Sequence, residues 1–170
     1  AANVTINGGT FKMNYPEGSI PDSGSAVASY YNGTVVINGG SFTSHFDNVS
    51  PVELSQGATI KGGTYLTHSG AASNHTFIKN YLAENFELSE TGTVVAKPVA
   101  EVNGVKYASF AEAAAAAQAG NEIKLLANIE GDITVPANVT LNGNGFVISG
   151  GIFAEGDITF AGVTMAADFD

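Results

Sequence analysis

Two aspartates precede strand-like segments and could together hydrolyse a glycosidic bond. Asp132 and Asp157 each follow a glycine and are 25 residues apart. A glycosidase needs two carboxyl groups about 5–9.5 Å apart, and stacked coils of a repeat protein could place them on neighbouring levels. Aspartate after glycine also closes turns by hydrogen bonding to nearby backbone. We favour the turn interpretation, and whether Asp132 and Asp157 meet in a groove stays open.

The three histidines, His45, His68 and His75, suggest a metal site as a second kind of chemistry. His68 and His75 flank the polar segment 69–74 and could approach each other. Zinc sites require three or four ligands, and neither the HxxxH nor the HExxH spacing occurs. The sequence also contains no cysteine, which excludes disulfides, thiolate metal sites and a thiol nucleophile. We therefore expect solvated loop histidines, no metal, no cofactor and no catalytic residue.

Three tyrosines are the candidate ligand-binding residues. Tyr15, Tyr30 and Tyr31 fall in the first sequence repeat, where the extra length over residues 14–33 predicts a protruding loop. Loops on a rigid scaffold concentrate binding residues, and exposed aromatic side chains mark interfaces. The same tyrosines could equally pack the loop down, so both interpretations stay open.

The charge balance narrows the classes of partner. The 170 residues carry a net charge of −10, and all six basic residues are lysines, with no arginine and no tryptophan. Nucleic-acid binding needs clustered cations that displace counterions from phosphate, so we exclude it. Arginine forks for phosphates or uronates are absent as well. No apolar run approaches the roughly 18 residues of a membrane span.

A short motif recurs and predicts the strands. Its consensus is aliphatic, any, aliphatic, polar, Gly, Gly, any, aromatic, with copies at 3–11, 34–42, 58–65 and more loosely 146–153, and partial copies at 139–143 and 158–162. Ile6, Ile37 and Ile60 hold one motif position at intervals of 31 and 23 residues. Alternation buries one strand face, Gly-Gly permits a turn through positive φ, and the aromatic residue returns to the interior. Such short strands share a core only when stacked, which favours a parallel β-solenoid over an antiparallel sandwich.

The repeated motif is interrupted near residue 98, and we interpret this interruption as a module boundary. Residues 86–88 and 93–95 predict an extended pair, and the Asn103-Gly104 dipeptide predicts a hairpin. We expect residues 1–98 to be the end of a first β-helix module with a closing hairpin. Residues 99–170 are then the hairpin, capping helix and first coils of a second module.

One helix is predicted, over residues 110 to about 119. Ser109 and Glu112 form an S-x-x-E capping box at its start, and Gly120 provides its end. Its alanine stripe can lie close against another element.

Residues 107–151 resemble the opening of pectate-lyase-like right-handed β-helix domains. The segments that carry the resemblance are the alanine-rich helix start at 109–114, the "IKL" strand at 123–125 and "ITVP…VTLNGNG" at 133–145. Together with the segments 81–86 and 102–113, the chain is similar to repetitive adhesin-like surface or secreted proteins of anaerobic gut bacteria. The resemblance implies an all-β, right-handed parallel β-helix in two stacked or consecutive modules with one short capping α-helix. Because this fold hosts many activities, the activity is not implied.

These observations predict a non-catalytic segment of an extracellular or cell-surface bacterial protein. We expect an adhesin-like or structural repeat that presents loops to a glycan or to a host or bacterial surface protein. The alternative is a carbohydrate-binding or polysaccharide-degrading β-helix protein. End-to-end self-association through open strand edges is a further expectation. Since the sequence starts inside a repeat, we expect it to be a piece of a longer protein.

Overall fold

The regular secondary structure of the described residues is mostly β-strand, as the sequence predicts. The computed structural model describes residues 3–14, 24–29 and 33–166. These residues form nineteen short strands and two short helices. The chain divides into two compact units, Ala1–Ala96 and Lys97–Asp170. Within the described part, no helix is long and apolar enough to cross a membrane.

The first unit is a series of strands of two to four residues. Its described elements are β1 (Asn3–Ile6), β2 (Thr10–Lys12), β3 (Val27–Ala28), β4 (Thr34–Ile37), β5 (Ser41–Thr43), β6 (Val52–Glu53), β7 (Thr59–Ile60), β8 (Thr64–Leu66), α1 (Thr76–Asn80), β9 (Phe86–Leu88) and β10 (Val94–Ala96). They pair in parallel as three ladders, β1-β4-β7, β2-β5-β8 and β3-β6, while β9 and β10 form an antiparallel hairpin. Each ladder strand therefore pairs with the corresponding strand one sequence repeat away.

Equivalent side chains of the repeats stack in columns, and the predicted register is confirmed. Ile6 pairs with Ile37, which pairs with Ile60, and the last two are fully buried. Beside them, the rings of Phe11, Phe42 and Tyr65 stack almost in parallel, with centroids 5.0 and 5.1 Å apart. This spacing is close to the distance between neighbouring strands, so the aromatic rings of successive repeats touch face to face in this column.

The two glycines of the motif have different structural roles. The second glycine has positive φ, as predicted, at Gly40 (+118°) and Gly63 (+103°). The first glycine instead lies under the backbone of the preceding repeat: a Cβ on Gly39 would lie 2.9 Å from the Asn7 carbonyl oxygen, and one on Gly62 would overlap the Asn38 carbonyl. Glycine is required there because two backbones approach closely.

The predicted extended pair forms and lies against the second ladder. Strands β9 and β10 are antiparallel, with Val94 opposite Leu88. Thr93 bridges to Thr64, and the Val94 N–H donates to the Gly63 carbonyl. The hairpin thereby covers the edge of the last strand in that ladder.

Helix α1 was not predicted. His75 is its N-cap, with ring nitrogen Nδ1 accepting a 3.4 Å hydrogen bond from the Phe77 N–H, and Ile78 is its buried residue. With only five residues and no Ser, Thr, Asp or Asn at the N-cap, the segment carries no strong sequence signal for a helix.

The second unit has the same kind of organisation. Its described elements are β11 (Ala100–Val102), β12 (Val105–Tyr107), α2 (Phe110–Ala116), β13 (Glu122–Leu125), β14 (Ile133–Val135), β15 (Thr140–Asn142), β16 (Val147–Ile148), β17 (Ile152–Ala154), β18 (Thr159–Ala161) and β19 (Thr164–Met165). The ladders β13-β15-β18, β14-β17 and β16-β19 are parallel, and the predicted hairpin β11-β12 extends the first of them in antiparallel fashion. Asn103 and Gly104, at the hairpin turn, both have positive φ.

The prediction that the aromatic residue of the fourth motif copy is buried is wrong. Phe153 is 59% exposed and pairs with Thr134, an outward residue of β14. Its neighbour Ile152 instead pairs with the buried Ile133. Because side chains alternate between faces, the inward pattern of β14 fixes the inward pattern of β17, and it directs Phe153 outward.

Helix α2 has the predicted capping box but ends three residues early. The Ser109 hydroxyl accepts from the Glu112 N–H, and the Glu112 carboxylate accepts from the Ser109 N–H. Ala117 is already extended, with ψ 139°. The Gly120 N–H donates to the Asn138 carbonyl at 2.7 Å, so this stretch of backbone pairs with the next repeat instead of continuing the helix.

A charge in the isoleucine column should unfold the first unit. We expect Ile37→Asp or Ile60→Asp to destabilise it by at least about 4 kcal/mol, because an unpaired carboxylate would enter a shared apolar core. Urea denaturation followed by circular dichroism checks this, with Thr34→Asp, exposed on the same strand as Ile37, as the control. An Ile37→Asp variant with an unchanged urea midpoint would contradict the assignment of Ile37 to the core.

The first motif glycine offers a paired test, with one variant at Gly62 and one at Gly8. Gly62→Ala should destabilise the first unit by about 1–3 kcal/mol, the range for inserting an atom where no space exists. Gly8 holds the same motif position in the outermost repeat, and a Cβ there meets nothing within 4 Å. Gly8→Ala is therefore the matched control and should leave the urea midpoint unchanged. Equal effects of the two variants would show that backbone approach is not the reason for glycine.

Candidate functional site

The predicted ligand-binding tyrosines lie outside the described residues. Tyr15, Tyr30 and Tyr31 belong to segments of which the structure says nothing. Their role as a binding site therefore stays a prediction.

The second unit contains a cleft of about 580 Å³. One wall is the outer face of α2, where Ala111 and Ala115 are exposed and contribute only methyl groups. The buried residues of the lining are Phe110, Ile129 and Ile133, and we call them the floor. The volume falls in the range of small-ligand pockets, and all three floor residues are apolar.

Exposed carboxylates form another part of the lining of this cleft, and we call the part that they form its mouth. Glu130, Asp132 and Glu155 line it and are all exposed. Among the described residues of the lining, none is a lysine or a histidine. We call this site, with its alanine wall, apolar floor and three carboxylates, the acidic cleft.

The structure places the two predicted aspartates on different ladders. Asp132 precedes β14 and its Oδ1 accepts a 2.7 Å hydrogen bond from the Gly151 N–H, in the next repeat. Asp157 precedes β18, and its main-chain carbonyl accepts from the Asn138 N–H at 2.6 Å. Asp132 lines the acidic cleft and Asp157 does not. Asp132 thus holds successive repeats together, in partial agreement with the turn interpretation.

Sequence reasoning missed Glu130 and Glu155, although a signal for them exists. The pentapeptide Glu-Gly-Asp-Ile-Thr occurs twice, at 130–134 and 155–159. The two copies do not occupy equivalent positions: the first leads into β14, and the second into β18 of a different ladder. As a result, the glutamate of the second copy reaches the cleft that contains both acids of the first.

The histidines pair differently from the prediction. His68 approaches His45 instead, with ring centroids 5.6 Å apart in an edge-to-face arrangement, and His75 stacks on Phe77 at 5.3 Å. The last two rings line a pocket of about 190 Å³ together with Glu53 and Asn48. Over the described residues, no three His, Asp or Glu side chains converge in a way that could hold a metal ion.

Asp47 links two repeats beside the histidine pair. Its Oδ1 accepts a 2.7 Å hydrogen bond from the backbone N–H of Ser69, 22 residues later. This bond, with smaller contributions from the Ser69 and Thr67 hydroxyls and from His68, lowers the pKa of the carboxyl group below its ordinary value of 3.8.

Comparison with known proteins adds no identification. No protein-family model, curated protein or solved structure shows significant similarity to the chain. The resemblance to pectate-lyase-like domains therefore stays a prediction.

The lowered pKa of Asp47 should make part of the first unit's stability depend on pH. Because the folded-state pKa is depressed, the contribution is present above the unfolded-state value and is lost as pH falls through the folded-state value. We expect Asp47→Asn to reduce the urea midpoint at neutral pH, and the difference from wild type to vanish in strong acid. Ser69→Ala is the control, since it keeps the backbone donor and should leave the pKa of Asp47 depressed in a carboxyl NMR titration. A titration midpoint at or above 3.8 in the wild type would contradict this account.

Proposed function

We propose that the chain is a non-catalytic, adhesin-like or structural repeat segment of an extracellular bacterial surface protein, built as two right-handed parallel β-solenoid modules. The observation that supports this best is the set of parallel ladders whose strands pair one repeat apart. Consecutive turns of a solenoid require that pairing, because each repeat covers the apolar face of the previous one. The surface location rests on the resemblance alone.

Such a scaffold suits the display of loops. Each repeat gains its core from its neighbours, so insertions between strands leave the ladders intact and project as loops. The prediction of one protruding loop over residues 14–33 is wrong at Val27–Ala28, which form β3 and pair with β6. The three candidate tyrosines lie before and after β3 in the sequence, and the ladders on either side keep their register. A glycan or a surface protein is the ligand we propose for such a loop.

A polysaccharide-degrading function is the second candidate, and one observation favours it. Three carboxylates line the acidic cleft, where an acid and a base or nucleophile could act. A glycosidase keeps its acid protonated by burying it in an apolar pocket, whereas Glu130, Asp132 and Glu155 are exposed. For this reason we place the non-catalytic function first.

End-to-end association of copies stays a prediction. Phe160 and Met165 continue inward columns of the second unit but are 53% and 46% exposed, because no further strand lies beyond them among the described residues. Unpaired parallel edges of this kind accept additional strands.

Glycan binding distinguishes display from a purely structural role. We expect a saturable interaction on an array of plant, mucin and bacterial glycans, reduced about tenfold or more by Tyr30→Ala with Tyr31→Ala, since aromatic anchors dominate such interfaces. The control is Phe153→Ala, which removes an exposed aromatic side chain outside the candidate loop; its folding is checked by circular dichroism. A blank array would favour a structural or protein-binding role.

Assays of polysaccharide cleavage decide between the two candidate functions. We expect no new reducing ends and no unsaturated products from the polysaccharides represented on the array. Cleavage that is lost in Glu130→Gln or Glu155→Gln would overturn the non-catalytic proposal.

A further inference from the structure

We propose that the acidic cleft binds a lysine side chain carried by an extended segment of a partner protein. The site would take the aliphatic stem on its apolar floor and the ammonium group at its carboxylate mouth. This inference goes beyond the proposed function, which does not require any ligand in the second unit.

The interior of the cleft fits an unbranched aliphatic stem. Phe110, Ile129 and Ile133 form the floor and are 7%, 8% and 5% exposed. Opposite them, Ala111 and Ala115 present methyl groups, so the wall is flat and leaves room for a ligand. Lysine buries its methylene groups along apolar surface while keeping its charge in water, and this cleft offers both environments within a few residues.

The mouth of the cleft fits a cation. Glu130, Asp132 and Glu155 contribute three carboxylates, and none of the described lining residues is basic. One oxygen of Asp132 accepts from the Gly151 N–H, which fixes that carboxylate in place while the second oxygen can still accept from a ligand. All three side chains are exposed, so an ammonium group can pair with them without full desolvation of either partner, which avoids the main penalty of buried ion pairs.

The same features disfavour other ligands. Phosphates and uronates would meet three negative charges with no compensating cation in the described lining. A sugar ring would find no open aromatic face, because Phe110 is the aromatic residue of the lining and is buried. A metal ion would lack a converging ligand set within the described residues.

Titration of the isotope-labelled chain with two blocked pentapeptides tests the proposal. The probes are acetyl-Ala-Ala-Lys-Ala-Ala-amide and the same peptide with norleucine, which keeps the stem and removes the charge. We expect the lysine peptide to shift the amide resonances of Ala111, Ala115 and Thr134 with a dissociation constant of about 1 mM or lower. About 0.5 M salt should weaken binding, since the charges are exposed.

Two sets of substitutions test the carboxylate charges and the volume of the cleft independently. Glu130→Gln with Glu155→Gln should weaken binding of the lysine peptide about tenfold or more, whereas Glu87→Gln with Glu90→Gln, both exposed in the hairpin of the first unit, should leave it unchanged. Ala115→Leu keeps every carboxylate and narrows the cleft, and it should also reduce the shifts.

The proposal is overturned if the norleucine peptide binds equally well, if the glutamine pair at 130 and 155 binds like wild type, or if no shifts appear at about 10 mM peptide, tenfold above the expected constant. Shifts produced by spermidine and not by the lysine peptide would overturn the assigned source of the ammonium group. None of these outcomes depends on the glycan array, so failure here is distinguishable from failure of the proposed function.

Discussion

The close approach of backbones in successive repeats is the constraint on which the structure depends. Parallel pairing brings the chain within one strand spacing of itself, and at the turns the distance becomes too small for a Cβ atom. Gly39 and Gly62 lie against the carbonyls of Asn7 and Asn38 in the first unit, and a Cβ on Gly150 would overlap the backbone of Gly131 in the second. Once the backbones are this close, the side chains of equivalent positions must stack, which produces the isoleucine and aromatic columns.

Much of the fold could be predicted because this constraint leaves a local signature. The motif spacing identified the pairing of Ile6 with Ile37 and of Ile37 with Ile60, and the capping box located the start of α2. The end of α2 could not be predicted, because a hydrogen bond to Asn138 in the next repeat replaces helix continuation. The outward position of Phe153 was also missed, because it depends on the partner strand rather than on the residue's own motif.

The candidate site was harder to predict than the fold, for a physical reason. Periodicity indicates which side chains face inward, but not which turns of different ladders lie side by side. The identical pentapeptides at 130–134 and 155–159 illustrate this. Both acids of the first copy line the acidic cleft, whereas the second copy contributes its glutamate and not its aspartate. Asp132 and Asp157 look equivalent in sequence but precede strands of different ladders. Local sequence therefore identified the candidate acids Asp132 and Asp157 but not their neighbours.

The positions of the lysines explain why the carboxylates of the acidic cleft have no lysine in the described lining. Glu101 lies directly opposite both Lys106 and Lys124 in the sheet of the second unit, so two of the six lysines face the same acidic strand residue. Opposite charges across strands contribute about 0.2–1 kcal/mol per pair, which favours keeping these lysines within the sheet. The carboxylates at the cleft are instead carried by turns and strand ends, where no strand partner supplies a cation. With a net charge of −10 on the chain, the three carboxylates of the cleft disfavour anionic ligands electrostatically.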